Sequence, residues 1–182
     1  MFENLLRKLA QVLNNNEVPY MIIGGQAVLL YGEPRLTRDI DVTLGIGIDK
    51  LPQMLELLKK LKLHPLTENP AKFVKETWVL PAQDQKTKIR IDFIFSFTPF
   101  EQEAIKRARS VAIGKIKVKF ASPEDVIIHK IFAGRPRDIE DVKSILAKNP
   151  KVNNSYIRKW LKEFNRLSAD KDLLEIFKSC QE

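Results

Sequence analysis

"GEPRLTRDIDVTL", residues 32 to 44, sets Asp39 and Asp41 one residue apart in a run that otherwise reads as a buried strand. From Asp39 to Leu44 the acids alternate with Ile40, Val42 and Leu44. In a strand, residues i and i+2 share a face, so both carboxylates point one way and the aliphatics point to the core. Two carboxylates about 5 Å apart, at an effective dielectric near 20, repel by roughly 3 kcal/mol. A divalent cation removes that penalty, because hard cations take carboxylate oxygens. A solvated strand end with two ordinary surface acids is the rival reading.

"IRIDFIF", residues 89 to 95, repeats the pattern. Ile89, Ile91, Phe93 and Phe95 form one face, which leaves Arg90, Asp92 and Ile94 on the other. If the two strands are neighbours, Asp92 joins Asp39 and Asp41 on one side of a sheet. The alternative is that Asp92 merely pairs with Arg90 or a lysine on an exposed face. Upstream, "PYMIIGG" (19–25) is an apolar strand ending in Gly24 and Gly25, followed by the short helix of "QAVLLYG". Glycine there permits close backbone approach, and free N–H groups at a helix start attract anions.

The rest of the chain frames these segments. Its 182 residues, 44% hydrophobic, suffice for a real core, and the net charge of +8 favours polyanionic partners. A single cysteine, Cys180, excludes a disulfide framework within the chain. No run of eighteen apolar residues occurs, and the opening "MFENLLRKLAQVL" reads as an amphipathic helix. These features predict a soluble, cytoplasmic protein with no membrane partner. Periodicity predicts helices at 3–14, 49–63 and 100–109, strands at 72–80, 86–97 and 115–120, and helices at 123–133, 137–147, 153–167 and 170–179. The fold class expected is α/β: a mixed sheet backed by helices over 1–121, with a C-terminal helical bundle, 122–182, packed on it. Lys115, Lys117 and Lys119 share a strand face and read as protection for an edge strand, while "KRAR" (106–109) could hold an RNA backbone.

In order, Gly24-Gly25, Asp39-x-Asp41 and a later single Asp92 resemble the nucleotidyltransferase superfamily typified by DNA polymerase β. "GGQAVLLYGEPRLTRDIDVTL" is most similar to its abortive-infection (AbiEii-type) branch, in which Gly-Gly-x-Ala and Arg-x-Thr-x-Asp-Ile-Asp are typical. "SPEDVIIHKIFAGRPRDIEDV" (122–142) resembles that branch's next motif, a helical lysine followed by an Arg/Lys-Asp-x-x-Asp run. The match covers roughly residues 18 to 145. Gln26 departs from the wider superfamily, where serine is common after the first glycine.

The resemblance implies transfer of a nucleoside monophosphate from an NTP to a hydroxyl on RNA such as tRNA, on a protein or on a small molecule. It implies two Mg²⁺ (or Mn²⁺) ions held by Asp39, Asp41 and Asp92, with Gly24, Gly25, Arg35, Arg38, Lys130 and Arg135 at the nucleotide. Asp138 is expected to orient Lys130 or Arg135. Arg137 and Asp141 are spaced as an i, i+4 helical pair. A toxin–antitoxin setting, with an antitoxin protein as partner, follows from the branch alone. Two rivals remain open: a non-catalytic nucleotide- or RNA-binding module on the same fold, and a phosphohydrolase using the same acids on water.

Overall fold

The computed structural model describes residues 2–96, 98–167 and 172–181. The chain divides into two compact units, Met1–Gln26 with Thr37–Phe120 and Ala27–Leu36 with Ala121–Glu182.

The first unit holds a seven-stranded mixed sheet. Its strands are β1 (Tyr20–Ile23), β2 (Asp39–Leu44), β3 (Leu63–Pro65), β4 (Val79–Asp84), β5 (Arg90–Phe95), β6 (Arg109–Ile113) and β7 (Ile116–Phe120), in spatial order β3-β4-β5-β2-β1-β7-β6. The pairs β2–β5 and β1–β7 are parallel and the others antiparallel. Helix α1 (Phe2–Asn15) buries Leu5, Leu6, Leu9, Ala10 and Leu13 at helical spacing and packs on β7 and on α3 (Leu51–Leu61). Helix α2 begins at Gly24 and ends at Tyr31, so the division between units falls within it.

Several expectations require correction. Residues 72–80 are mostly not a strand: Pro70–Thr77 forms helix α4, started by Asn69, whose side chain accepts from the Lys72 N–H at 3.0 Å. Trp78 ends it in the left-handed conformation, φ 61°, and β4 begins only at Val79. β4 runs on to Asp84, whose carboxylate accepts from the Thr87 N–H and hydroxyl, both at 2.7 Å, in the turn before β5. Helix α5 (Pro99–Arg107), capped by Thr98 and Glu101 in a capping box, stops before Arg109. An unforeseen edge strand, β6, follows, so β7 with its lysines lies inside the sheet. Phe97, at the end of the expected strand 86–97, lies outside the described residues.

The second unit is helical: α6 (Pro123–Ala133), α7 (Pro136–Lys148), α8 (Asn154–Leu167) and α9 (Leu173–Ser179). Residues 170 and 171, expected to open the last helix, lie outside the described residues. Helix α6 packs against α7, α8 and α9, with Val126, Ile127, Ile128 and Ile131 buried. Among the described residues no helix is long and apolar enough to cross a membrane.

Candidate active site

Strands β2 and β5 lie side by side, with Asp39 opposite Arg90, Asp41 opposite Asp92 and Thr43 opposite Ile94. Paired residues of neighbouring strands share a face, and strands stand about 4.8 Å apart. The three half-buried carboxylates therefore gather on one face, while Ile40, Val42, Leu44, Ile91, Phe93 and Phe95 are buried on the other. That apolar face fixes the register, since a one-residue slip would drive every acid into the core.

Gly24 turns the chain from β1 into α2 with φ +62°, a left-handed conformation that glycine adopts without strain. A Cβ at this position would lie 1.9 Å from Asp41 Oδ2. The backbone at Gly24 thus forms a cradle against the Asp41 carboxylate that no other residue leaves open. Gly25 is buried behind it.

Gln26, read from the sequence only as a departure from the superfamily, has a structural task. It is buried, and its Nε2 donates to Thr37 Oγ1 at 2.6 Å, with a longer contact of 3.5 Å to the Asp39 carbonyl. It ties the start of α2 to the residues that lead into β2. The available signal was the pairing of a glutamine after two glycines with the threonine of "RLTRD"; neither residue alone suggests it.

Arg90 pairs with one of the acids. Its Nε donates to both oxygens of Asp92, at 2.9 and 3.1 Å. The hydrogen bond to Asp92 is the main cause that raises the guanidinium pKa above its ordinary value. Burial, the next largest cause, opposes it, and the charges of Asp92, Asp39 and Asp41 add to it. The pairing foreseen by the rival reading of Asp92 is therefore present, on the same face as the other two acids. Arg38 is exposed and forms no ion pair among the described residues.

The donor set suits a hard divalent cation, since carboxylate oxygens line one face beside the backbone of Gly24. Among the described residues, no three acidic, histidine or cysteine side chains close around a common point.

The other expected residues gather in the second unit. Arg35 forks onto Asp141, Nε to Oδ1 at 2.9 Å and Nη2 to Oδ2 at 3.0 Å. Lys130 Nζ lies 2.6 Å from Asp138 Oδ1 and 2.9 Å from Asp141 Oδ2. Side-chain exposure is 11% for Lys130, 8% for Asp138 and 5% for Asp141, so this is a buried lattice joining α6 to α7. Asp138 Oδ2 has no hydrogen-bond partner among the described residues. Asp138 holds Lys130 and not Arg135, which is exposed before α7. Asp141, expected to pair with Arg137, is taken by Arg35 and Lys130.

A mixed sheet carrying paired carboxylates beside a glycine-led helix defines a nucleotidyltransferase-type α/β fold. The sequence matches, over residues 1–172, the family described as "Nucleotidyltransferase of unknown function (DUF6036)", and the chain belongs to that nucleotidyltransferase family. Solved structures agree on the fold. An antigenic nucleotidyltransferase-like protein from Paracoccidioides brasiliensis superposes with a TM-score of 0.61 at 17% identity, over 97% of this chain and 91% of its own. The antibiotic-resistance factor ANT(2″)-Ia gives a TM-score of 0.61 at 16% identity, over 92% of each chain. No curated protein matches by sequence.

Proposed function

We propose that the protein transfers a nucleoside monophosphate from an NTP to a hydroxyl acceptor at the Asp39–Asp41–Asp92 face. The observation that carries this reading is the in-register pairing of Asp41 with Asp92, beside a glycine at which any Cβ would collide with the Asp41 carboxylate. Asp39, Asp41 and Asp92 would hold divalent cations, Mg²⁺ or Mn²⁺, which when bound neutralise triphosphate charge and acidify the acceptor hydroxyl.

The acceptor oxygen forms a bond to the α-phosphorus, the bond from that phosphorus to its bridging oxygen breaks, and pyrophosphate departs. Asp92 takes the hydroxyl proton on its carboxylate. The backbone at Gly24 and Gly25 lets the triphosphate approach closely, and exposed Arg38 is the first unit's candidate cation for it. Gln26 keeps Asp39 in register by holding its carbonyl and Thr37.

Within this reading, the Arg35-x-Thr37-x-Asp39-Ile40-Asp41 signature assigns the chain to the AbiEii-type branch, and an antitoxin partner follows from that assignment only. RNA, protein and a small molecule are the acceptor classes, the last in keeping with a neighbour described as an antibiotic-resistance factor. The pairing of Arg90 with Asp92 is the feature a non-catalytic binding module would keep.

The test is transfer of label from each α-labelled NTP, with Mg²⁺ or Mn²⁺, into total RNA, whole-cell protein and small molecules. Asp41→Asn runs in parallel. Label confined to one fraction and lost in the variant supports the transferase. Full activity of Asp41→Asn sinks the assignment, and NTP binding without transfer to any fraction favours the module.

A further inference from the structure

Residues 106–119 hold Lys106, Arg107, Arg109, Lys115, Lys117 and Lys119 and not a single acid. The ammonium groups of Lys106, Lys115, Lys117 and Lys119 have no ion-pair partner among the described residues, and only Lys119 is half-buried. Guarding a sheet edge does not account for them, because the edge strand is β6.

Their side of the sheet follows from register. Phe120 pairs with Ile22, and Ile22 with Val42, so these lie on the buried face. Lys117 and Lys119, of opposite parity to Phe120, lie on the face of Asp41 and Asp92. Asp41 pairs with Ile23, which sets Lys119 level with Met21. Two strand spacings across and two residues along put the Cα atoms of Asp41 and Lys119 about 12 Å apart. Between them β1 presents Ile23 and Met21, both buried and uncharged, so the acids and the lysines form separate patches. Opposite Lys119 and Lys117 on β6 stand Ser110 and Ala112, both small and exposed. The ribbon offers unpaired positive charge, about 7 Å apart along β7, and no large apolar side chain on that face.

From this we infer that the β6–β7 ribbon, with Lys106 at the end of α5, is the docking surface for the phosphate backbone of a single-stranded RNA whose terminal hydroxyl is the acceptor. The inference rests on the transferase reading for the role of the acid face. A protein partner would call for apolar or aromatic anchors at the centre of the contact. This face has none among the described residues, whereas closely spaced, unpaired cations answer phosphates.

The experiment measures binding of a fluorescein-labelled, single-stranded oligoribonucleotide by anisotropy across a salt series. Wild type is compared with Lys106→Gln/Lys115→Gln/Lys117→Gln/Lys119→Gln. Each lysine–phosphate contact contributes about 0.7 to the slope of log affinity against log salt. The variant's slope should fall by about 2 to 3, and its affinity at low salt by about tenfold or more. Its melting temperature should hold, because Lys106, Lys115 and Lys117 are exposed and half-buried Lys119 has no ion-pair partner among the described residues. In the labelled-NTP assay the variant should need more RNA for half-maximal transfer while keeping its rate at saturation.

Equal slopes and affinities for the two proteins overturn the surface and leave the transferase reading standing. Label entering protein alone, with RNA binding unaffected by the variant, does the same. Lysine-dependent RNA binding without transfer under any condition upholds the surface and defeats the transferase reading.

Discussion

Gly24→Ala tests the carboxylate cradle most directly. The new methyl group meets two obstacles. Its backbone must stay left-handed at φ +62°, which costs an alanine about 1–2 kcal/mol. Its Cβ also starts 1.9 Å from Asp41 Oδ2 and 2.9 Å from Asp41 Cγ. Because real contacts of this kind begin near 3 Å, the carboxylate must retreat by about 1 Å, a displacement that can cost a catalyst on the order of 100-fold.

The variant should therefore melt about 2–8 °C lower. Its Mn²⁺ affinity, read by electron paramagnetic resonance, should weaken, and labelled-NMP transfer should fall by about two orders of magnitude. Gly114→Ala separates the two causes. Gly114 is also left-handed, at φ +61°, but its Cβ would meet only the flexible Arg7 side chain, Nη1 at 3.1 Å and Cδ at 3.8 Å. It should lose similar stability and keep its metal affinity. If Gly24→Ala binds Mn²⁺ and transfers label within threefold of wild type, Asp41 does not depend on that glycine and the reasoning fails.

Arg90→Gln frees Asp92 from a half-exposed ion pair worth about 0.2–1 kcal/mol, so calorimetry should find Mn²⁺ bound up to about fivefold more tightly; weaker binding would make Arg90 a support of the site. Lys130→Met strands buried Asp138 and should cost about 3 kcal/mol, lowering the melting temperature by about 10 °C. The double variant Lys130→Met/Asp138→Leu should recover most of that loss, and no recovery would mean that the lattice is not what holds α6 to α7. Burial pushes the Asp84 carboxyl up, but the Thr87 hydroxyl and N–H, together with the Lys8 charge and the Lys86 N–H, hold its pKa below the ordinary value. A depressed carboxyl stabilises above the unfolded pKa, about 3.9, and loses that contribution as pH falls through the folded one. Thr87→Val should therefore destabilise by about 1 kcal/mol at pH 7, and the gap from wild type should close in acid; a constant gap would remove Asp84 from the explanation.

The acid face was legible because period-two alternation in "DIDVTL" and "IRIDFIF" reports burial directly, and burial dictates facing. What alternation cannot report is pairing: that β5 lies beside β2, with Asp92 against Asp41, is a long-range fact. Helix α4 was hidden for a related reason. Only Val74 is buried in it, so Phe73, Val74 and Trp78 look strand-like unless Asn69-Pro70 is recognised as a helix start. Strand β6 gave little signal because Arg109, Ser110 and Ala112 are exposed and its apolar face is only the half-buried pair Val111 and Ile113. The Arg35–Asp141 fork joins residues more than a hundred positions apart, and no spacing rule reaches that far.

The division of the chain bears on how it leaves the ribosome. Ala27–Leu36 belongs to a unit whose other members begin at Ala121, and all of Thr37–Phe120 is made in between. At about 5–20 residues per second, Arg35 waits roughly 5–21 s for Asp141 to be synthesised. During that time Val28 and Tyr31, both buried in the folded chain, and the guanidinium of Arg35 depend on chaperones or on transient burial. Codon choice between residues 37 and 120 thus sets the length of an exposed interval early in the life of every molecule.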